Sequence, residues 1–374
     1  MPDRSNAGAE AAPRRRPNLL DWRALVGISL SFILLYFAFR NTNFREVGRE
    51  VRTIDPLLLL VATALATFVF WVRAWRWKSI LHPLKPDIPF RSRFASVTIG
   101  FMGNNLLPAR IGEFLRAYSL SRQEAVTLVG SFASLVMERL FDGICVISFL
   151  FIAMALPDFP EIRVRPGIDY PAIATGAGIF VAAGIVVLVL LVLFPLPAVR
   201  GMERFAQVLP KRVRRPLIDA LEAFLTGVGI LRRPLLLSRA GFWSVVLWLV
   251  NAAGFYFAFR AFGIDLPFTA ALFFQSCIAL AVSAPSGPAF FGIYHAAAMA
   301  VLVGMWGVEQ ARAAAYAITY HLAGFIPVTL IGLYYAWRIG LSMGEVKRSE
   351  ETVEDAVEQA TGADVIIERR QPPR

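Results

Sequence analysis

The sequence has few of the residues that build disulfide frameworks, metal sites and soluble surfaces. It contains 2 Cys and 3 His in 374 residues, and charged residues make up only 17%. Cys145 and Cys277 lie in apolar runs without a CxxC pair, so neither a disulfide framework nor a cysteine metal site is indicated. An Asp-x-Asp pair, an HExxH motif, a P-loop and a nucleophile elbow are also missing from the sequence. We therefore predict no cofactor and no metal.

The chain is instead rich in long apolar segments. Hydrophobic residues make up 57% and the mean hydropathy is +0.57, both far from soluble averages. Runs long enough to cross a hydrocarbon core of roughly 30 Å recur along the chain. The sequence predicts an all-α polytopic membrane protein with about eight transmembrane helices, near 23–39, 56–72, 123–156, 172–194, 241–260, 267–284, 289–306 and 311–337.

The charge distribution predicts the topology. The net charge of +11 comes largely from the N-terminal tail and two loops, at 73–93 (with Arg73 and Arg76) and 195–239. Positive loops are typical of the cytoplasmic side, where they meet anionic lipids, so a nucleic-acid partner is not indicated. We predict a disordered basic cytoplasmic tail over 1–21, a transmembrane domain over 22–340 with a cytoplasmic basic amphipathic stretch at 195–239, and a cytoplasmic charged tail over 341–374. The basic loop at 40–55 argues against this orientation, because it would then lie on the outer side of the membrane.

The segment FMGNNLLPARIGEFLRAY, residues 101–118, places polar and charged side chains between membrane-length apolar runs. Charges at membrane depth are costly unless paired or wetted, so they indicate a functional site. Pro108 and Gly112 also interrupt the helix, and a broken backbone at this depth is tolerated only inside protein or along a watered cavity. We predict a re-entrant pair of half-helices near 94–119, broken at Asn104–Pro108. Its candidate residues are Asn104, Asn105, Arg110, Glu113 and Arg116.

Arg110, Glu113 and Arg116 follow one another at helical i, i+3 and i+6 spacing. Glu113 can therefore pair with either arginine. One interpretation is a structural ion pair that holds the broken segment. The other is a phosphate site, because two guanidiniums near a new helix N-terminus suit a bidentate anion.

A second constellation lies on the next helix, where five polar residues keep to one narrow face. Hydroxyl groups there can simply join helices. The charges at Glu138, Arg139 and Asp142 favour function, because ionisable groups inside a membrane are costly. The five residues are Thr127, Ser131, Ser134, Glu138 and Asp142.

A third constellation spans 284–295, where Pro285, Gly287, Pro288 and Gly292 prevent a continuous helix and His295 follows. A tight turn between two spans is the alternative to a substrate site with His295. His321 is predicted to pack.

Two breaks, one in each half, are typical of transporters with discontinuous helices. The two motifs do not align convincingly, so an inverted repeat stays a hypothesis, and 267–306 forms either two spans or a re-entrant hairpin.

These motifs together resemble the family named for the transmembrane region of lysylphosphatidylglycerol synthase, the flippase-like integral membrane proteins. The residues that carry the resemblance are Gly103-Asn104-Asn105, Pro108-Ala-Arg110-Ile-Gly112-Glu113-x-x-Arg116, Glu138-Arg139-x-x-Asp142 and Pro288-Ala-Phe-Phe-Gly292-x-Tyr-His295. Ala289 departs from the glycine that is frequent in the family. Because the chain ends at Arg374, we expect no soluble aminoacyltransferase domain. The resemblance implies a flippase-like domain and lipid translocation.

The leading hypothesis is a lipid flippase of a bacterial-type inner membrane, not an enzyme, that binds an anionic head group in an intramembrane polar cavity. The substrate would be a phospholipid or a polyprenyl-phosphate-linked glycan. Arg110, Arg116 and Arg139 would hold phosphate, while Glu113, Glu138 and Asp142 would balance charge, accept a cationic head group or relay a proton. The alternatives are a membrane-embedded transferase acting on a lipid-linked sugar, and a partner subunit of a cell-envelope enzyme that docks through 195–239. Homo-oligomerisation is left open.

Overall fold

A computed structural model describes residues 22–107, 110–159, 233–284 and 287–342, together with Gly344, Glu345 and Thr352. Over these ranges the chain is helical and contains no strand, which confirms the all-α class. The predictions for 1–21, for the span at 172–194, for most of 195–239 and for most of 341–374 lie outside the described residues. The helices are α1 (Trp22–Phe39), α2 (Phe44–Arg52), α3 (Pro56–Leu81), α4 (Phe90–Leu106), α5 (Ile111–Gln123), α6 (Leu128–Ala155), α7 (Pro234–Ala261), α8 (Phe268–Ala281), α9 (Ile293–Leu302) and α10 (Gln310–Arg338).

Helix α3 is longer than the sequence suggested, and this corrects the predicted basic loop at 73–93. The helix runs to Leu81, so Arg73 and Arg76 lie inside it and are buried. Arg93 is buried as well, in α4, where it donates a hydrogen bond of 2.8 Å to the carbonyl oxygen of Ala74. The loop charge that favoured a cytoplasmic side is therefore smaller, and the orientation stays a prediction.

Three other boundaries also differ from the prediction. The helix predicted from residue 123 begins at Leu128, because Thr127 caps it by accepting the Gly130 N–H. The loop predicted over 40–55 contains α2, whose first turn is capped by Asn43. Residues 234–239, assigned to the cytoplasmic stretch, form the first turns of α7, which opens at Pro234.

Helix lengths separate full spans from shorter pieces. Within the described residues, α3, α7 and α10 are long and apolar enough to cross a membrane. Helix α6 has 28 residues and carries Glu138, Arg139 and Asp142. Helices α8 and α9 have 14 and 10 residues, or about 21 and 15 Å at 1.5 Å per residue, which is short of the roughly 30 Å core. These lengths favour the hairpin for 267–306, so the count of eight spans includes two helices that are too short.

The two helix breaks have the same construction. Helix α4 ends at Leu106 and α5 begins at Ile111, close to the break predicted at Asn104–Pro108, and Arg110 has a left-handed backbone (φ 57°). Helix α8 is followed by a 3-10 turn at Pro288–Phe290 before α9. Each break thus joins two half-helices. Pro108 and Pro285 lie outside the described residues.

The order of long helix, two half-helices and long helix occurs twice, in α3–α6 and again in α7–α10. Helices α3 and α7 pack antiparallel, since the Asp55 N–H donates to the Ala261 carbonyl (2.9 Å) while Arg76 donates to Ser244 (3.0 Å). The remaining packing is exchanged between the repeats, with α4 against α10 and α6 against α8. This arrangement supports the hypothesis of an inverted repeat, with its pseudo-two-fold axis crossing the helices.

The two break motifs share a short pattern, although their sequences did not align convincingly. Both read Pro-Ala-x-x-Gly, over 108–112 and 288–292, and the third residue of each is left-handed, Arg110 at φ 57° and Phe290 at φ 58°. The Arg110 guanidinium carbon lies 5.9 Å from the centroid of the Phe290 ring. Equivalent residues of a two-fold repeat would meet only near its axis, so this contact fits a repeat whose axis lies between the two breaks.

The first half-helix pair depends on glycine at its contact. A Cβ on Gly112 would overlap the carbonyl oxygen of Gly100 and lie 2.5 Å from the Asn104 nitrogen. We expect Gly112→Ala to destabilise the fold by about 1–3 kcal/mol because the backbones must separate. Gly241→Ala is the matched control, because nothing lies within 4 Å of its Cβ position. Thermal unfolding of the two purified variants in detergent checks this, and equal midpoints would contradict it.

Candidate functional site

Five charged side chains form a buried network among three helices. Arg73 and Arg76 come from α3, Arg116 from α5, and Glu138 and Asp142 from α6. Each is at most 6% exposed. They meet because α3 and α6 pack together with their charged turns at the same level. We call this set the charged network.

Glu138 is the centre of the charged network. Its carboxylate accepts two hydrogen bonds of 2.8 Å from Arg116 and one of 2.7 Å from Arg73. Arg76 lies 3.2 Å from the same carboxylate. The Arg116 guanidinium also lies 4.0 Å from the centroid of the Trp77 ring, where a cation gains further attraction. Glu138 is therefore surrounded by three arginines.

Asp142, one turn further along α6, faces two of the same arginines. It accepts hydrogen bonds from Arg76 (2.6 Å), Arg73 (3.0 Å) and the Trp248 indole (3.1 Å). The charged network therefore holds three guanidiniums against two carboxylates, an excess of one positive charge. Buried charge is tolerated only when paired and hydrogen-bonded, which explains why every member has several partners.

A cavity of about 460 Å³ lies between the two repeats beside this network. Residues from α3, α4, α5, α6, α7, α8, α9 and α10 line it, so both repeats contribute to it. Its apolar wall includes Val69, Phe70, Val146, Ile147, Phe255, Ile278 and Phe325. Its charged lining, which we call the charged pole, consists of Arg73, Arg110, Glu113, Arg139 and Asp142.

The ion pairs at the charged pole differ from those predicted. Glu113 pairs with Arg139 of α6 at 3.1 Å, rather than with Arg110 or Arg116. Arg116 instead turns inward to Glu138, while Arg110 donates to the carbonyls of Val282 and Ala284 just after α8. Tertiary partners thus override the local helical spacing. The Arg139 side chain is 48% exposed, so this pair lies nearer to solvent than the charged network does.

The structure divides the predicted site residues into two groups. Asn104, Asn105, Arg110, Glu113, Arg139 and Asp142 line the cavity. Arg116, Glu138 and His295 are buried outside its lining. The His295 ring contacts those of Phe39 and Phe291. His321, predicted only to pack, lines the cavity, and its ring centroid lies 5.0 Å from that of His295.

Sequence reasoning also missed residues that line the cavity. Arg73 was assigned to a loop, although Arg73 and Arg76 follow an apolar run at i, i+3 spacing and could have been read as its continuation. The others carry no charge, and uncharged polar residues in apolar helices give a weak signal. They are Asn251, Gln275, Tyr294, Tyr320 and His321.

We call these five uncharged residues of the cavity lining the neutral pole. Asn251 donates to Gln275 at 3.1 Å, and the Tyr294 and His321 rings stack with centroids 4.4 Å apart. Counted from the N-terminal proline of each helix, Asn251 of α7 occupies the position of Arg73 in α3. Counted from the first residues of α6 and α10, Tyr320 likewise occupies the position of Glu138. The repeat therefore places neutral groups where its partner places charges.

Comparison with known proteins identifies the family. Residues 24–332 match the family described as the lysylphosphatidylglycerol synthase TM region. The chain belongs to this family and is a membrane protein, as its motifs had indicated.

Three relatives illustrate the range of the match. Glycosyltransferase AglD of Haloferax volcanii is 23% identical over 346 residues, which cover 85% of this chain and 54% of the relative. The chain thus spans about half the length of AglD. A UPF0104 membrane protein of Methanothermobacter thermautotrophicus is 24% identical over 341 residues, 83% of this chain and 91% of the relative. A UPF0104 membrane protein of Methanocaldococcus jannaschii is 30% identical over 120 residues, 32% and 35% of the two chains.

The position of Glu138 predicts a structural role. Glu138→Ala leaves three buried arginines facing one carboxylate, and breaking a buried pair in this way typically costs about 3–5 kcal/mol. We expect a large fall in the thermal midpoint of the purified variant. Asp265→Ala is the control, since it removes an exposed pair with Arg260 and should change the midpoint little. Comparable midpoints for the two variants would show that the network does not stabilise the fold.

Proposed function

We propose that this protein moves a lipid across the membrane by holding its phosphate-bearing head group in the cavity between the two repeats. The observation that carries the proposal is the excess positive charge of the charged pole. Three arginines line the cavity there against two carboxylates. A phosphate ester supplies the charge that this lining lacks, and guanidinium groups bind its oxygens in pairs.

Arg110 is the arginine best placed to bind a ligand. Among the described residues no carboxylate forms an ion pair with it, and its guanidinium is held by the carbonyls of Val282 and Ala284. An arriving phosphate competes with neutral carbonyls rather than with a carboxylate. Arg139, half-exposed and paired with Glu113, is the second phosphate ligand in this proposal, and Arg73 closes the inner side.

The rest of the cavity suits the remainder of a lipid. The apolar wall continues from the charged pole along α3 and α6, through Val69, Phe70, Val146 and Ile147. A volume of about 460 Å³ matches a head group rather than a whole lipid, so the acyl chains would remain in the bilayer. Charge at one side and hydrocarbon at the other match an amphipathic substrate.

The inverted repeat supports movement rather than storage. In transporters built from inverted repeats, the substrate lies where discontinuous helices meet, and one repeat moves against the other. Here the two breaks contact each other through Arg110 and Phe290. Arg116 and Glu138, outside the cavity lining, serve in this proposal to position α5 and α6 rather than to bind substrate.

A transferase acting on a lipid-linked sugar is the second candidate, and the name of AglD is the observation that favours it. If a carboxylate were the acid or base of such a reaction, it would have to be free of ion-pair partners. Asp142 reaches the cavity but already accepts bonds from Arg73, Arg76 and Trp248. Transport is therefore favoured. Conversion of a radiolabelled lipid-linked sugar by the purified protein would favour the transferase instead.

Arg110 provides the test of transport. In proteoliposomes containing a fluorescent phosphatidic acid, we expect Arg110→Ala to slow its movement roughly 10- to 100-fold, because a charge-assisted hydrogen bond contributes about 1.5–3 kcal/mol. Arg110→Lys should recover only part of the rate, since lysine lacks the planar fork. Arg260→Ala, at an exposed pair, is the matched control.

If a well-folded Arg110→Ala variant moves phosphatidic acid at the wild-type rate, the proposed phosphate site at Arg110 is wrong. Failure of the wild-type protein to move any labelled lipid, in vesicles with and without an ion gradient, would remove lipid transport itself.

A further inference from the structure

The neutral pole is not explained by phosphate binding. Gln275 is 1% exposed and Tyr294 is 6% exposed, yet both line the cavity. The Gln275 amide nitrogen, the Tyr294 hydroxyl and the His321 Nδ1 are buried without a hydrogen-bond partner among the described residues. Buried polar groups are nearly always paired, so three such atoms on residues that line one cavity call for an explanation.

The three atoms offer a defined chemistry. The Gln275 carbonyl is already used by Asn251, so its amide remains as a donor. The Tyr294 hydroxyl can donate or accept, and a neutral imidazole offers a donor on one nitrogen and an acceptor on the other. Neutral donors and acceptors, mixed in this way, match the hydroxyl groups of a polyol or sugar, which also donate and accept.

The stacked rings add a second element of recognition. The Tyr294 and His321 rings lie 22° from parallel, and Phe325 lines the cavity beside them. An aromatic wall offers an apolar face against which the C–H groups of a polyol or sugar can pack while the hydroxyls reach the polar tips.

The charges argue against an amine-bearing head group. Each carboxylate that lines the cavity is paired with at least one arginine, Glu113 with Arg139 and Asp142 with Arg73 and Arg76. A cationic head group would therefore meet an excess of positive charge at the charged pole, which is costly in a desolvated site.

We propose that the neutral pole binds the hydroxyl-rich part of the head group whose phosphate is held at the charged pole, so that the substrate is a polyol or glycosyl phospholipid or polyprenyl phosphate. The proposal rests on the function proposed above and narrows it. Equivalent positions of the two repeats would then bind different parts of the head group. Arg73 lies on the phosphate side, and its counterpart Asn251 lies on the hydroxyl side.

The test measures the ratio of transport rates in proteoliposomes. Four labelled lipids are compared: phosphatidic acid, phosphatidylglycerol, a polyprenyl-phosphate hexose and phosphatidylethanolamine. We expect faster movement of one or both hydroxyl-bearing lipids than of phosphatidic acid, and the slowest movement for phosphatidylethanolamine. Faster movement of phosphatidylglycerol identifies a polyol as the source of the hydroxyls. Faster movement of the polyprenyl-phosphate hexose identifies a sugar.

Single substitutions then test which side chains produce the preference for hydroxyl-bearing lipids. Gln275→Leu, and separately Tyr294→Phe, which keeps the ring, should each lower the hydroxyl-to-phosphatidic-acid ratio about fivefold, the worth of one neutral hydrogen bond. Gln310→Leu, the same change at a residue that bonds Thr42 outside the cavity lining, is the control and should leave the ratio unchanged.

The outcomes separate the two proposals. Equal rates for hydroxyl-bearing lipids and phosphatidic acid, or a ratio that Tyr294→Phe leaves unchanged, would overturn the neutral-pole assignment while lipid transport stands. The absence of movement for all four lipids would overturn transport and the assignment together.

Discussion

The pairing of Glu138 and Asp142 with three buried arginines is the interaction on which the rest of the structure depends. These side chains come from α3, α5 and α6, so the network fixes the first break against both long helices. Neither carboxylate nor guanidinium is tolerable at this depth without the others. Arg73 and Asp142 of this network line the cavity together with Arg110, Glu113 and Arg139, so three arginines face two carboxylates there, and the proposed function follows from that excess.

The sequence predicted the features that depend on local spacing. Glu138 and Asp142 share a helix face because they lie one turn apart, and they are buried together as expected. The first break was located because proline and glycine interrupt helices regardless of their surroundings. The fold class followed from the lengths of the apolar segments, which can be read from the sequence without knowledge of tertiary contacts.

Partners of charged residues could not be predicted, because tertiary packing selects them. Arg73 looked like a loop residue since the apolar run ends before it, whereas its carboxylate partners are more than sixty positions away. Local spacing joined Glu113 to Arg110 or Arg116, but the fold joins it to Arg139. The equivalence of the two breaks was hidden because they share only proline, alanine and glycine.

The two repeats share an architecture and differ in their chemistry. The first repeat supplies the five charged side chains of the charged pole together with the amides of Asn104 and Asn105, and the second supplies two further amides, two tyrosines and a histidine. An inverted repeat needs only its packing to be symmetric, so the groups at equivalent positions are free to specialise toward different parts of one ligand. Family membership is consistent with this latitude, because folds host functions through the residues of their sites.

The most direct test of the central claim is a cryo-electron microscopy structure of the protein in nanodiscs that contain an anionic phospholipid. We predict a phosphate within hydrogen-bonding distance of Arg110 and Arg139, with its acyl chains leaving the cavity along the apolar wall. A cavity that holds only hydrocarbon, or lipid phosphate bound solely at the protein's periphery, would contradict the account.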